Sequence, residues 1–363
     1  MIMKKIDLCR FLVLTFVLLS LSAFIYAQRN ILFLGSQSTP DIHMADKDAL
    51  DTLTALGCTV TYMDDGDYAA LDAGDLSVWD GMHGFYISEP VSSGTTANFR
   101  EDRHNYPVPC MNLEGWTPRA DVWGWINDNN TEFYRNDPGT EDDKSIIIMD
   151  NSHYITEIYD VDQEVVWTTT TYTESNLPGG VMEVNVEFSD KLAQIKGYEA
   201  LGKEDFWTMF TIDSAAGLPN RMFVWGMHEV GLNGTDASAY LEHTGTEDFW
   251  KIFRRAAQWT FNMIPKEPGE TSVKENYLDD YSMHAFPNPA SGIANIRFLA
   301  AEPDDATVTL FNVTGQQVKV LYDKRAKAGY NFVSFDTGDY PAGIYFAILQ
   351  IGEHTLTTKI FIE

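Results

Sequence analysis

Few residues in this chain have the type and spacing to do chemistry. Glu114 follows the apolar run CMNL (110–113) and precedes Gly115, so a strand would end on its carboxylate. Such a group can serve as a general acid or base or ligate a metal. It can equally satisfy backbone donors at a chain reversal. Glu89, Ser92 and Ser93 stand in ISEPVSSG (87–94), a polar cluster after another apolar run. Side chains and backbone amides in that position can hold an anion or sugar hydroxyls, or a serine can simply cap the next helix. His228 and Glu229 end a late apolar run. Leu232 stands where H-E-x-x-H needs its second histidine, which excludes that zinc motif. Trp116, Trp123 and Trp125 in EGWTPRADVWGW (114–125) could stack on the apolar faces of sugars or fill a core.

Metal ligation is left open. His43 lies among Asp41, Asp46 and Asp48 but has no second histidine nearby. Asp64, Asp65 and Asp67 match no complete Ca²⁺ loop. His153 precedes a turn and is read as capping it. No cofactor is expected.

The elements that must position these residues alternate. NILFLG (30–35), CTVTYMD (58–64), HGFYIS (83–88) and YPVPCMNLEGW (106–116) read as buried strands. KDALDTLTALG (47–57) between the first two is helical, with Gly57 as its stop, and 89–102 is a polar turn into a short helix. Such alternation argues α/β: a flavodoxin-like, mostly parallel sheet with helices on both faces and order 2-1-3-4, whose ligands sit at the strands' carboxyl ends. Those ends are 35–38, 88–93 and 114–116. After a polar loop at 127–145, period-two segments between 163 and 231 extend the sheet. TGTEDFWKIFRRAAQWTFNMIP (244–265) is the strongest helix, with Thr244 and Glu247 as a capping box. GKEDFWTMF (202–210) and GTEDFWKIF (245–253) echo each other in unlike surroundings, one strand-like and one helical. KEPGETSVKENYLDDYS, with the few residues after it (266–284), is a linker. From 285 the chain is all β, six alternating segments punctuated by Thr314-Gly315, Ala328-Gly329 and Pro341-Ala342-Gly343, which predicts a small immunoglobulin-like sandwich.

A chain of 363 residues suits two domains. All nine tryptophans lie between Trp79 and Trp259, so the larger core belongs to the middle of the chain. Residues 1–27 read as a signal peptide: Lys4, Lys5 and Arg10, then an apolar run to Ala27. No stable membrane span is expected once it is removed. The formal charge is −28. Residues 1–27 carry three basic groups against Asp7, and 285–363 carry six basic against eight acidic, so 28–284 bears essentially all of the excess. Nucleic acid and anionic membrane surfaces are thereby excluded as partners, since both need a basic patch. Cys58 and Cys110 fall on strands three spacings apart, roughly 14 Å, too far for a disulfide. Two free, buried thiols are expected.

Three tail motifs in order, FPNPASG (286–292), LFNVTGQQV (310–318) and YPAGIYFAIL (340–349), with a lysine in the last strand, resemble the type IX secretion C-terminal sorting domain (type A) of Bacteroidetes. The resemblance implies the type IX machinery as partner of residues 285–363, and a secreted or outer-surface destination reached through the periplasm. Residues 28–265 resemble the class I glutamine amidotransferase-like superfamily, nearest its ThuA-like branch. The likeness is carried by NILFLG (30–35), HYIT (153–156), FVWGMHEVG (223–231) and FWKIFRRAAQWTFN (249–262). An amidotransferase needs a cysteine at the sharp turn after the strand matching 106–114. Here that turn reads Leu113-Glu114-Gly115, and Cys110 comes several residues early. Glutamine hydrolysis is therefore not expected.

The expected function is that of an exported α/β cargo that binds or processes a carbohydrate-like ligand. Glu114, Glu89 and His228 would be its catalytic candidates, and Ser92, Ser93 and Trp116 its ligand contacts. Any activity would be hydrolase-type. The alternative is a non-catalytic surface or adhesive module.

Overall fold

The computed structural model describes residues 29–36, 38, 44–72, 75–134, 144–169, 179–213, 218–227, 245–264, 282–286, 288–300 and 302–363. Residues 1–27, His43, His228, Glu229, Thr244 of the expected capping box and most of the linker at 266–284 lie outside them.

The parallel block comprises β1 (Arg29–Gly35), β2 (Cys58–Asp64), β3 (Gly84–Ile87) and β4 (Cys110–Glu114). Later strands are β5 (Phe133–Tyr134), β6 (Ser145–Ile148), β7 (Glu164–Val166), β8 (Gly180–Val181), β9 (Asp190–Ile195), β10 (Met209–Ile212) and β11 (Met222–Met227). The helices are α1 (Met44–Ala55), α2 (Asp65–Ala69), α3 (Ala97–Asp102) and α4 (Glu247–Thr260). Nine strands form one sheet in the order β2-β1-β3-β4-β11-β10-β9-β6-β7, so the expected 2-1-3-4 order is present. β2, β1, β3, β4 and β11 pair in parallel. The remaining pairs are antiparallel, which returns β9 and β7 to the direction of the block. Cys58 and Cys110 are free and buried on β2 and β4. Pro107 and Pro109 precede β4 rather than interrupt it, so no ladder donor is lost.

Side chains of the central strands alternate between two apolar clusters, one on each side of the sheet. Ile31, Phe33, Tyr86, Met111, Leu113, Phe223 and Trp225 join the first. Leu32, Leu34, Phe85, Ile87, Cys110 and Val224 join the second. The first cluster takes Leu53 of α1 and Phe249, Ile252, Phe253 and Ala256 of α4. The second takes Tyr68 of α2, Phe99 of α3 and the tryptophans of 116–125. The cap of α4 is Thr246, whose side chain accepts from the Phe249 amide at 3.2 Å. Thr246 thus serves where the spacing from Thr244 to Glu247 predicted a capping box. Glu247 instead opens the first turn beside Asp248, where a carboxylate favours the helix dipole.

The tail forms seven strands: β12 (Ser282–Phe286), β13 (Ile293–Ala300), β14 (Asp305–Asn312), β15 (Gln317–Arg325), β16 (Gly329–Asp336), β17 (Gly343–Ile351) and β18 (His354–Ile362). Sheets β12-β13-β16 and β15-β14-β17-β18 close over a third apolar cluster, including Ile296, Phe298, Val308, Leu310, Phe335, Ala347 and Leu349. β12 begins ahead of 285, so the last residues assigned to the linker already belong to the sandwich.

The tail also touches the cargo. Leu299, Tyr330 and Phe332 belong to the cargo's second cluster rather than to the tail's own. They meet it at the amino ends of the parallel strands, opposite the ends where a ligand was expected.

Candidate functional site at the carboxyl ends of the parallel strands

β4 delivers Glu114 to the end of the sheet, 4% exposed. Its Oε1 accepts from the Trp116 amide at 3.0 Å, so the carboxylate closes its own turn. Asn112 Nδ2 holds the same turn, donating to the Glu114 carbonyl at 2.9 Å and to Thr117 Oγ1 at 3.0 Å. A Cβ at Gly115 would collide with the carbonyl oxygen of Met227, where β11 ends. The position after Glu114 must therefore lack a side chain, and a nucleophile cannot stand there. Neither thiol substitutes for one: burial pushes Cys58 up to about 12 and raises Cys110 well above its ordinary value, so both stay protonated.

At the ends of β1 and β3 the structure assembles a cluster that sequence reasoning missed. Asp46, in the first turn of α1, is fully buried. It accepts from Ser88 Oγ at Oδ1 and from Tyr62 OH at 3.2 Å at Oδ2. Burial pushes its carboxyl up to about 6 against these bonds, and the nearby Asp65 adds to the rise. Glu89, half-buried, follows Ser88, and its charge with that of Asp46 bears on the Tyr86 hydroxyl. In the sequence Asp46 stands out only as a neighbour of His43. The usable signal was its place on the helix that follows β1, where a parallel sheet turns its ligand-binding edge.

Ser92 is exposed and Ser93 buried. The Ser92 amide donates to Asp65 Oδ2 at 3.0 Å, and its carbonyl accepts from the Thr95 and Thr96 amides, each at 3.2 Å. These backbone bonds build the turn into α3. Trp123 and Trp125 are each 1% exposed. Their indole N–H groups donate to Tyr106 OH at 3.1 Å and His104 Nδ1 at 2.7 Å, which makes them core residues. Trp116 is half-buried, with Phe133 at 5.2 Å and the Arg119 guanidinium 5.4 Å over its ring. His153 Nδ1 accepts from the Ile155 amide at 3.1 Å and so caps its turn. Among the described residues no three His, Cys, Asp or Glu side chains are grouped to hold a metal. None of the helices searched is long and apolar enough to cross a membrane.

Residues 284–363 match the family described as the secretion system C-terminal sorting domain. The match supports export to the cell surface or beyond and implies contact with the secretion machinery. No curated protein matches the chain. Among solved structures, the dimeric latent PorU of Porphyromonas gingivalis is similar at 16% identity and TM-score 0.20, over 25% of this chain and only 10% of that one. A cytoplasmic protein of Salmonella typhimurium is similar at 9% identity and TM-score 0.39, over 64% of this chain and 98% of that one. A protein of Parabacteroides merdae described as ThuA-like is similar at 12% identity and TM-score 0.35, over 67% and 93%.

Proposed function

We propose that this is an exported binding protein, carried out by a signal peptide and the type IX machinery of a Bacteroidetes cell. Its cargo is a ThuA-like α/β domain with helices on both faces of the sheet. The cargo takes a carbohydrate-like ligand at the carboxyl ends of β1, β3 and β4 without turning it over. The turn at Glu114 carries this reading: the carboxylate is engaged by the Trp116 amide, and Gly115 is closed by Met227. Binding chemistry remains available at the same rim. Trp116 offers part of its ring, Ser92 is exposed, and Glu89 stands beside the Asp46–Ser88 pair.

The machinery engages the four-stranded sheet of the tail. Its outer face carries Val320, Ile344 and Phe361, each more than a third exposed, with Phe346 half-buried among them.

A glycan-array and metabolite screen on the secreted protein tests the ligand reading, repeated with Trp116→Ala and Glu114→Gln. Loss of a hit with Trp116→Ala supports it. A hit that survives both changes unaltered removes the site, and substrate turnover by the wild type removes the claim that ligand is only bound.

A further inference from the structure

The tail's outer strand face is not an ordinary exposed sheet. β13 and β16 pair so that Arg297 lies opposite Phe332 and Leu299 opposite Tyr330. The period of two then puts all four side chains on one face, away from Ile296, Phe298 and Phe335 inside the sandwich. This patch is seated on the cargo. Leu299, Tyr330 and Phe332 pack in the cluster that holds Trp79, Phe85 and Tyr106. Gly81 N donates to the Tyr330 carbonyl at 2.8 Å and Tyr330 N to the Met82 carbonyl at 3.0 Å, so two backbones exchange bonds across the contact.

Arg297 is the centre of it, 1% exposed. Its guanidinium donates to the Pro107 carbonyl at 2.6 Å and the Pro219 carbonyl at 3.2 Å, and it lies 4.8 Å from the centre of the Tyr330 ring. No carboxylate pairs with it among the described residues. A buried cation held only by carbonyls and an aromatic face is tolerated when its surroundings fix it. On a separated tail the same side chain would stand in water. The fit extends to the turn. Gly329 has φ 97°, and a Cβ there would lie 2.6 Å from the Gly81 carbonyl oxygen. Asn331 braces that turn through the Lys327 amide and carbonyl at 3.0 and 2.8 Å. At the rim Lys327 meets Asp80 at 3.5 Å. An apolar centre with a desolvated arginine anchor and a polar rim is the anatomy of a specific interface.

We infer that the cargo is a binding site for its own sorting domain. The two halves stay together as a non-covalent complex when the chain between them is cut, with Arg297 as the anchor. Three large apolar side chains and a guanidinium leave water together on docking, and an uncut connection between the halves adds effective concentration.

The test uses the full exported chain with a protease recognition sequence placed between 266 and 280. After cutting at micromolar concentration, size-exclusion chromatography and native mass spectrometry are expected to show both halves in one 1:1 particle. Separate elution of the halves, each retaining its circular dichroism, would overturn the inference. Arg297→Gln is expected to weaken the cut complex at least about tenfold, while Lys327→Glu changes it less than about threefold. Equal retention of the Arg297→Gln tail would overturn the anchor's role. Should that variant not fold, the wild-type cut still decides the main claim.

Discussion

The two ends of the cargo sheet are built from opposite chemistry. The carboxyl end collects carboxylates: Asp46 and Asp65, Glu89, and Glu114 folded onto its own turn. The amino end collects cations: Arg29 donates to the Asn262 carbonyl there, and Arg297 enters from the tail. In a chain of net charge −28 this separation is informative. Parallel strands end together on one edge, where the loops that follow them converge, so that edge is the expected place for a ligand. The opposite edge needed only closing, and here a second domain closes it. The acidic end carries the candidate ligand rim, while the tail packs against the basic one.

The largest expected effect is at the amino end. Arg297→Ala leaves two buried carbonyls without donors and should cost about 3 kcal/mol of stability in urea denaturation of the full chain. A loss below about 1 kcal/mol would mean that this end is held by apolar packing alone. At the other end, Gly115→Ala forces the close of β11 to shift and should cost about 2 kcal/mol. Gly115→Cys should likewise create no glutaminase, and ammonia release from glutamine would contradict the closed-turn account.

The third effect depends on pH. The Asp46 carboxyl is raised from 3.8 to about 6 in the fold, so the folded state holds the proton more tightly than the unfolded chain. Its contribution is fully present below about pH 4 and is lost as pH rises through about 6. Burial holds His83 and His104 down near 4, and they act in the opposite sense over the same window. Asp46→Asn should therefore leave stability rising more steeply between pH 4 and 6, by about 1 to 2 kcal/mol across the window. Melting curves at several pH values measure this, and parallel profiles for variant and wild type would place Asp46 outside the titration. The smallest effect is at the rim: Trp116→Ala should cost less than about 1 kcal/mol, since the ring is only half-buried. A larger loss in a thermal melt would make Trp116 a core residue like Trp123.

Much of this architecture was legible because the strands announce themselves. The 2-1-3-4 order that a flavodoxin-like sheet would have is the one present, and β13 runs over the same residues, 293–300, as its sequence pattern. The site was less legible. Ser88 lies far along the chain from Asp46, and no local pattern links them. Glu114 was seen, but that its carboxylate would turn back onto Trp116 depends on Asn112 and Thr117 locking the same loop. The tail's docking was not legible at all. Arg297 alternates correctly as an outward residue of β13, and pattern alone assigns an outward arginine to water.

One tetrapeptide shows where the division falls. Glu-Asp-Phe-Trp occurs at 204–207, in a turn leading to β10, and at 247–250, opening α4. Flanking residues decide between them: Thr246 caps the second copy and Phe253 and Ala256 continue its helical stripe, whereas Met209 and Phe210 follow the first with a strand's alternation. That much the amino-acid order determined by itself, because caps and periodicities act over a few residues. It likewise carries the match of residues 284–363 to the secretion system C-terminal sorting domain. Only the tertiary structure decided that Gly115 must be bare, that Asp46 meets Ser88, and that the tail's outer face is buried. Each depends on atoms brought together from distant parts of the chain, where burial, rather than local propensity, sets what a side chain can do.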